Sequence, residues 1–277
     1  MVGLTRTMVD AAIGKIAAHL PAFRVPEQLL VRFSNSGTDR MYRDYLTSNE
    51  SGYLRFLPML IQQLELKSIV ELGNREGMST LCLFSTLAAD GRLVTVDIVR
   101  DQRFCPEHMF SDSRVRFVQG DVADLAIYGN EVPIEIELLF SDTIHFDRQL
   151  RDELAIYGPL LADRALVAID DINLNDKRKW FDEVPYPKWD LTTLCHGSGF
   201  GLTLFERKEP ISKEVRLAQA YAASAQVWKR RHDEVRQAPM RAAVRGVLVK
   251  QPKLRRIAGR LFPRGVTGVI KQALRME

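Results

Sequence analysis

Five short apolar runs, each closing on one or two acidic residues, constrain the fold of this chain more than any other feature of its sequence. They occupy residues 68–71, 93–97, 115–121, 136–142 and 165–171. The segments between them suit helices, and alternation of strands with helices is the signature of a parallel sheet. Open sheets of this kind bind their ligands at the carboxyl ends of the strands. We therefore predict an α/β fold in which five strands deliver carboxylates to one ligand-binding edge.

A glycine turn follows the first of these strands. Gly73 and Gly77 stand four residues apart, and Ser79 and Thr80 follow as candidate first residues of a helix. Glycine permits the backbone conformations and the close ligand approach that such a turn requires, and the start of a helix offers free N–H groups to a polar or anionic ligand. A dinucleotide fingerprint requires three glycines in the pattern GxGxxG, and the middle one is missing here. The turn therefore predicts a cofactor loop that does not hold a pyrophosphate closely.

The remaining segments divide the chain into three parts. Helical spacing of apolar residues at 8–20 and 53–64 predicts a helical cap over residues 1–64. Residues 65–209 hold the five strands and then two strand-like runs, 191–195 and 200–205, which predict a terminal antiparallel pair around the turn 196–199. Beyond Pro210 the spacing is helical again, in segments at 215–236, 240–250, 254–262 and 266–276.

The charge of the chain is concentrated in this last part, residues 210–277. From Lys213 onward there are 16 Lys and Arg against 4 Asp and Glu, a net of +12, which leaves 23 against 31 in the first 212 residues, a net of −8. An acidic body would repel phosphates, so we expect no nucleic-acid partner. A basic amphipathic helix suits an anionic membrane surface, and it equally suits packing on a partner subunit or on the acidic body. Residues 213–277 therefore predict peripheral membrane contact or a homo-oligomer contact.

Composition excludes several other classes. Among 277 residues with 46% hydrophobic content, no apolar run approaches the roughly 20 residues that span a bilayer. The first 20 residues lack the apolar core of a secretory signal. Cys82, Cys105 and Cys195 are widely spaced, which favours neither a disulfide framework nor a zinc cluster. We expect a cytoplasmic protein, with attachment to the inner face of a membrane as one consequence of the tail.

With these residues in place, the region from about 52 to 207 resembles the class I S-adenosylmethionine-dependent methyltransferases. More narrowly, it resembles the metal-dependent O-methyltransferases of sugar and natural-product hydroxyls, relatives of the macrolide-sugar and aminocoumarin methyltransferases and of the cephalosporin hydroxylase-like sequences. The resemblance implies a Rossmann-like sheet of seven strands, mostly parallel with the last antiparallel, between a helical cap and a basic helical tail.

The resemblance also implies a role for each acid and glycine of the sheet edge. Glu71, Gly73, Gly77 and Ser79 look like the family's first motif, which holds the methionine end of S-adenosylmethionine. An acid at the end of strand two binds the ribose, and one at the end of strand three lies near the adenine. The predicted cofactor-binding set is Glu71, Gly73, Asn74, Gly77, Ser79, Asp97, Asp121 and Asp142.

The same resemblance makes Asp142, Asp170 and Asp171 the ligands of Mg²⁺ or a similar cation. A hard dication prefers oxygen ligands and keeps positions open for substrate. His145 follows Asp142 by three residues, and its ordinary pKa suits a general base at neutral pH. The alternative to a metal site is that acids at strand ends only cap helices or face solvent. The predicted reaction is methyl transfer to a hydroxyl of a sugar or a glycosylated or other small molecule.

Two departures from the family leave alternatives open. The family's Pro-Gly-Gly turn before strand five is replaced by 161–165, without glycine, and its Asp-Gly-Asp-His is reduced to Asp142-Thr143-Ile144-His145. The alternatives are a metal-independent small-molecule methyltransferase and a non-catalytic relative that docks through its tail. Aromatic candidates for the acceptor pocket are Tyr42, Tyr45, Tyr53, Trp180 and Trp189.

Overall fold

The computed structural model describes residues 3–33, 37–47, 52–99 and 101–250. Its centre is one seven-stranded sheet. The strands are β1 (Ser68–Leu72), β2 (Arg92–Asp97), β3 (Val115–Gln119), β4 (Ile136–Ser141), β5 (Leu161–Asp170), β6 (Lys188–Asp190) and β7 (Phe200–Glu206). The first five coincide with the five apolar runs, so the prediction of these strands is confirmed.

The order of the strands places their acids together. The sheet runs β3-β2-β1-β4-β5-β7-β6, with β1 to β5 parallel and β7 antiparallel to both β5 and β6. The order reverses at β1, whose neighbours are β2 and β4, and such a switch point is where an open sheet forms its ligand crevice. The predicted mostly parallel sheet with an antiparallel end is therefore confirmed.

Two local predictions at the far side of the sheet are wrong. The run 191–195 is not a strand: β6 ends at Asp190, whose Oδ1 accepts a hydrogen bond from Thr192 N at 3.0 Å. An Asp side chain bonded two residues ahead starts a turn, and Cys195 N then bonds to Leu191 O at 2.9 Å. Residues 161–165 are not a turn either, since β5 begins at Leu161 and the preceding turn, residues 158–160, contains the glycine.

Within the described ranges, three helices form the cap, and five more follow β1 and the later strands. The cap contains α1 (Arg6–His19), α2 (Gly37–Thr47) and α3 (Gly52–Leu64), and α3 packs against both α1 and α4. Helix α3 is buried because its residues from Tyr53 to Ile61 are almost all apolar, and almost all of them are inaccessible to solvent. The remaining helices are α4 (Met78–Phe84), α5 (Glu107–Ser111), α6 (Asp147–Tyr157), α7 (Arg178–Glu183) and α8 (Lys213–Lys250).

The chain divides into two compact units, Met1–Ser224 and Ala225–Glu277. In the first unit, α8 is tied to the sheet domain where Ser224 Oγ donates to Ala123 O at 2.6 Å. Helix α8 includes Pro239, so the predicted break between 236 and 240 is wrong. The predicted segments 254–262 and 266–276 lie outside the described residues. None of the helices in the described ranges has the length and apolar character required to cross a bilayer.

Candidate active site

The loop between β1 and α4 lies against the end of β4. Gly73 has φ +86°, a conformation that favours glycine, and a Cβ at this position would stand 2.1 Å from the carbonyl oxygen of Asp142. Gly77, which precedes α4, has φ +89°, and its Cβ would stand 2.5 Å from Cys105 Sγ. Both glycines are therefore required by close packing of the chain itself. The contact at Gly73 joins the predicted cofactor loop to the predicted metal ligand Asp142.

Asp97, at the end of β2, holds this loop in place. Its Oδ2 accepts hydrogen bonds from the backbone N–H groups of Asn74 at 2.9 Å and Arg75 at 2.8 Å, and its Oδ1 accepts one from Val99 at 2.9 Å. A carboxylate offers about four acceptor positions, so these bonds leave capacity for a ligand hydroxyl. Ser79 is nearly buried on α4, and Asp121 Oδ1 accepts from Ala123 N at 2.8 Å just beyond β3.

Two other predicted cofactor residues support the loop from beneath. Glu71 is fully buried, and its Oε2 accepts hydrogen bonds from Thr80 and Thr95, both at 2.6 Å. The Asn74 side chain is also buried, and its Nδ2 donates to Thr95 Oγ1 at 2.8 Å. Burial raises the pKa of Glu71, although hydrogen bonds from Ser79, Thr80 and Thr95 act in the opposite direction. Both side chains therefore connect β1, β2 and α4 in the interior.

This burial gives a test of Glu71 on stability. Because its folded pKa is raised, the folded state loses stability as pH rises above the ordinary carboxyl range. Glu71→Gln keeps an oxygen for the two threonine hydroxyls and removes the ionisation. We expect the melting temperature of the variant, relative to that of the unaltered protein, to be higher at pH 8 than at pH 5. If calorimetric scans show a difference in melting temperature between the two proteins that does not change with pH, the raised pKa of Glu71 is contradicted.

Of the predicted metal ligands, Asp170 and Asp171 offer carboxylate oxygens within 4.8 Å of each other at the end of β5, whereas Asp142, at the end of β4, lies outside that group and interacts with Asp170. Burial first, and then the charges of Asp170 and Asp171, raise the pKa of Asp142 well above its usual range. Asp171 follows β5 with φ +55°, an uncommon conformation for a non-glycine residue that is held by surrounding structure. The charges of Asp170 and Asp171 thus oppose the ionisation of Asp142. A cation among them would relieve that repulsion.

Two histidines border this carboxylate cluster, which comprises Asp142, Asp170 and Asp171. His145 Nε2 lies 3.2 Å from Asp171 Oδ2, while its Nδ1 is buried with no hydrogen-bond partner among the described residues. His196 Nε2 lies 2.7 Å from Asp170 Oδ1, and its Nδ1 lies 2.8 Å from Ser198 Oγ. Burial lowers the pKa of His196, but the hydrogen bond to Asp170 and the charges of both aspartates raise it overall.

His196 is the functional candidate that sequence reasoning missed. It lies in the turn before β7, and β7 pairs antiparallel with β5 so that Phe200 stands opposite Asp170. A loop that precedes an antiparallel neighbour must reach the carboxyl edge of the parallel strand. The predicted antiparallel end of the sheet was therefore a signal for this residue, and the sequence reasoning did not use it.

Two buried charged residues beneath the cluster were also missed. Lys177 is fully buried, donates from Nζ to the carbonyl of Asp170 at 2.7 Å, and its charge lowers the pKa of Asp142 in part. Glu153 of α6 accepts hydrogen bonds from Ser141 Oγ and Thr143 Oγ1, the neighbours of Asp142. These groups fix the two strand ends that carry the carboxylates.

The aromatic candidates lie in different places. Tyr53, at the start of α3, has its ring centre 5.1 Å from that of His196, and the charges of Asp142 and Asp170 contribute to raising its pKa, after burial. Trp189 donates to Asp10 of α1, and Trp180 lines a separate cavity of about 380 Å³. Tyr42 stacks edge-on against Phe104. Tyr45 is close enough for its charge to affect Tyr53.

Comparison with known proteins agrees with this architecture. The family model described as "Methyltransferase domain" matches residues 70–172, from β1 to just beyond Asp171. No curated protein sequence matches the chain. Among solved structures, the S-adenosylhomocysteine-bound methyltransferase PaMTH1 of Podospora anserina is 15% identical, with a TM-score of 0.51 over 75% of this chain and 99% of its own. A Staphylococcus aureus protein assigned as a caffeoyl-CoA O-methyltransferase is 16% identical, with a TM-score of 0.50 over 70% of this chain and 99% of its own.

At these identities the structural likeness establishes the fold, and the family match covers only the central part of the chain. The match begins in the strand that leads into the cofactor loop and ends after the carboxylate pair. Residues 70–172 thus match a methyltransferase-domain family, and the sheet that carries them has the methyltransferase fold.

Proposed function

We propose that this protein transfers a methyl group from S-adenosylmethionine to a hydroxyl of a sugar or glycosylated small molecule, with the help of a bound divalent cation. The observation that carries the proposal is the junction at Gly73, where the cofactor loop touches the backbone of Asp142. A methyl donor held at that loop would lie beside the carboxylate cluster. Donor and acceptor sites would thus share one edge of the sheet.

The residues around the loop fit the proposed cofactor. Asp97 keeps acceptor capacity for the ribose hydroxyls, and Ser79 lies at the start of α4 for the methionine end. Asp121 lies at the end of β3, where the adenine would be placed. Glu71 and Asn74 maintain the loop from the interior, as their hydrogen bonds to Thr95 indicate.

The carboxylate cluster fits a divalent cation by its chemistry. Asp142, Asp170 and Asp171 supply oxygen donors. The raised pKa of Asp142 reflects desolvation first and then the charges of Asp170 and Asp171, which a cation would offset. When bound, the cation would supply a Lewis acid that lowers the pKa of the acceptor hydroxyl. Lys177 and Glu153 would keep the carboxylates in position from beneath.

His145 is the proposed general base. Its Nε2 faces the carboxylate cluster, 3.2 Å from Asp171 Oδ2, and would accept the proton of a hydroxyl bound there, whereas its Nδ1 is buried. The acceptor itself would enter near His196, where a cavity of about 470 Å³ is lined by that residue, by Arg55 and by cap residues of α1. That volume suits a small molecule. A sugar hydroxyl would then be aligned with the sulfonium methyl for in-line displacement.

The first experiment separates this function from its alternatives. Calorimetry measures binding of S-adenosylmethionine, and release of S-adenosylhomocysteine is then assayed with a panel of monosaccharides, nucleotide sugars and glycosides, with and without EDTA. We expect cofactor binding and EDTA-sensitive turnover. Turnover that EDTA leaves unchanged would indicate a metal-independent methyltransferase. Absence of cofactor binding would indicate a non-catalytic protein.

Replacement of His145 tests the base. We expect His145→Asn to lower kcat by about 100- to 10,000-fold, the usual contribution of a positioned acid or base, while cofactor affinity stays unchanged. His232→Asn, in an exposed position of α8, is the matched control and should retain full turnover. A variant of His145 with normal kcat across the pH range would assign proton removal to another group.

A further inference from the structure

A nitrogen donor that lies outside the matched residues stands beside two members of the carboxylate cluster. One ligand atom each from Asp170, Asp171 and His196 lie within 4.8 Å of one another. The side chains are only 6%, 14% and 11% exposed, so this is not a group of solvated surface acids. His196 comes 24 residues after the end of the family match, on the loop before β7.

We propose that His196 is a direct ligand of the bound cation, beside Asp170 and Asp171, and that the site therefore prefers a first-row transition ion such as Mn²⁺ over Mg²⁺. The proposal rests on the proposed function only in requiring a cation at this cluster. Imidazole is a ligand suited to transition ions, whereas Mg²⁺ is bound almost wholly through oxygen.

The surroundings of His196 orient it for this role. Ser198 Oγ stands 2.8 Å from Nδ1, on the side of the ring away from Asp170. At 2.7 Å from a carboxylate oxygen, Nε2 carries the proton and donates to Asp170 Oδ1. A bound cation would take the place of that proton, and Nδ1–H would then donate to Ser198 Oγ, because a partner on the far nitrogen is what fixes a metal-binding histidine. Tyr53 packs against the ring, with centroids 5.1 Å apart, and the loop is anchored where Gly52 N donates to Cys195 O at 3.0 Å. The imidazole is therefore positioned before a cation arrives.

His145 is the competing nitrogen donor, since its Nε2 also borders Asp171. Among the residues that the structure describes, His145 contacts the carboxylate of Asp171 alone, whereas His196 lies 2.7 Å from Asp170 Oδ1 and 3.9 Å from Asp171 Oδ1. A cation shared by both aspartates is thus closer to His196. The two histidines make matched variants for a direct test.

The test uses the full chain loaded with one equivalent of Mn²⁺. Three-pulse electron spin echo modulation detects ¹⁴N bound to Mn²⁺, and titration of the free Mn²⁺ signal, with Mg²⁺ as competitor, gives both affinities. We expect nitrogen modulation in the unaltered protein and in His145→Asn, and its loss in His196→Asn. Mn²⁺ affinity should fall by at least about tenfold in His196→Asn, because loss of even a supporting group costs about 10- to 100-fold. Mg²⁺ affinity should fall less.

Ser198→Ala is a milder variant that keeps the histidine and guards against misfolding of His196→Asn. We expect it to keep the modulation and to weaken Mn²⁺ binding. Bound Mn²⁺ without nitrogen modulation in the unaltered protein, or modulation that is lost only in His145→Asn, overturns the assignment and leaves the proposed function intact. Failure to bind any Mn²⁺ overturns both the ligand and the cation dependence, while calorimetry with S-adenosylmethionine reports on the transferase separately.

Discussion

Asp142→Asn is expected to melt at a higher temperature than the unaltered protein and to lose cation-dependent methyl transfer. The side chain is half-buried beside Asp170, and desolvation first, then the charge of Asp170, raises the pKa of Asp142 well above its usual range. Since folding of a carboxyl with a raised pKa becomes less favourable as pH increases, the gain should be present at neutral pH and vanish in acid. A gain of a few degrees would correspond to roughly 1 kcal/mol in a chain of this size.

The same substitution should lower turnover by about 100-fold or more, or about 3 kcal/mol of transition-state stabilisation, because it removes a charged ligand from the cation. In the unaltered protein a bound cation should also raise the melting temperature by mass action, and this shift should shrink in the variant. Thermal scans with and without Mn²⁺, together with the turnover assay, measure both effects. Glu209→Gln, at an exposed acid, is the control. A variant that is less stable and still responds fully to Mn²⁺ would contradict the proposed site.

The sequence could predict the parts of this site that depend on local patterns of apolar and glycine residues and on the common edge at which parallel strands end. The apolar runs predict β1 to β5, and because parallel strands end at a common edge, Asp97, Asp142 and Asp170 had to lie along that edge. Glycine spacing likewise located the loop after β1. Which of these acids are neighbours depends on the strand order, which the sequence pattern alone did not give.

The parts that sequence missed depend on pairing and burial across long separations. His196 reaches the carboxylates only because β7 pairs with β5 in a register that sets Phe200 opposite Asp170. Lys177 gives no sign in the sequence that its amine is fully buried against the carbonyl of Asp170. The apolar run 191–195 suggested a strand, yet the capping bond from Asp190 ends β6 before it. In residues 191–195 the packing of the folded chain favours a turn over the strand that local propensity predicts.

Gly73→Val is expected to abolish binding of both S-adenosylmethionine and the divalent cation. The sequence alone suggested that a side chain here would occlude the cofactor turn. The structure gives a stronger reason, because the new Cβ would stand 2.1 Å from the carbonyl oxygen and 2.8 Å from the carbonyl carbon of Asp142. Those are main-chain atoms, and Asp142 N is itself bonded to Leu72 O at 2.8 Å, so relief requires β1 and β4 to separate at their ends.

The backbone adds a second cost, since φ at Gly73 is +86° and a β-branched residue rarely adopts that conformation. Together we expect a loss of about 3 kcal/mol or more in the free energy of unfolding, as for other strained and overpacked sites. Gly73→Ala should show the same direction with a smaller loss, which keeps the test informative if the valine variant does not fold.

Gly14→Ala provides the opposite control, because this residue lies in α1 with no atom within 4 Å of the added Cβ. That change should stabilise the protein by about 0.5–1 kcal/mol. Urea unfolding gives the free energies, and titrations with S-adenosylmethionine and Mn²⁺ give the affinities. If the loop at Gly73 and the backbone of Asp142 form one site, the affinities for S-adenosylmethionine and for Mn²⁺ must both fall in the folded Gly73 variants. Loss of cofactor affinity with unchanged Mn²⁺ affinity would mean that the loop and the carboxylate cluster are independent, since a shifted Asp142 cannot leave its own cation unaffected.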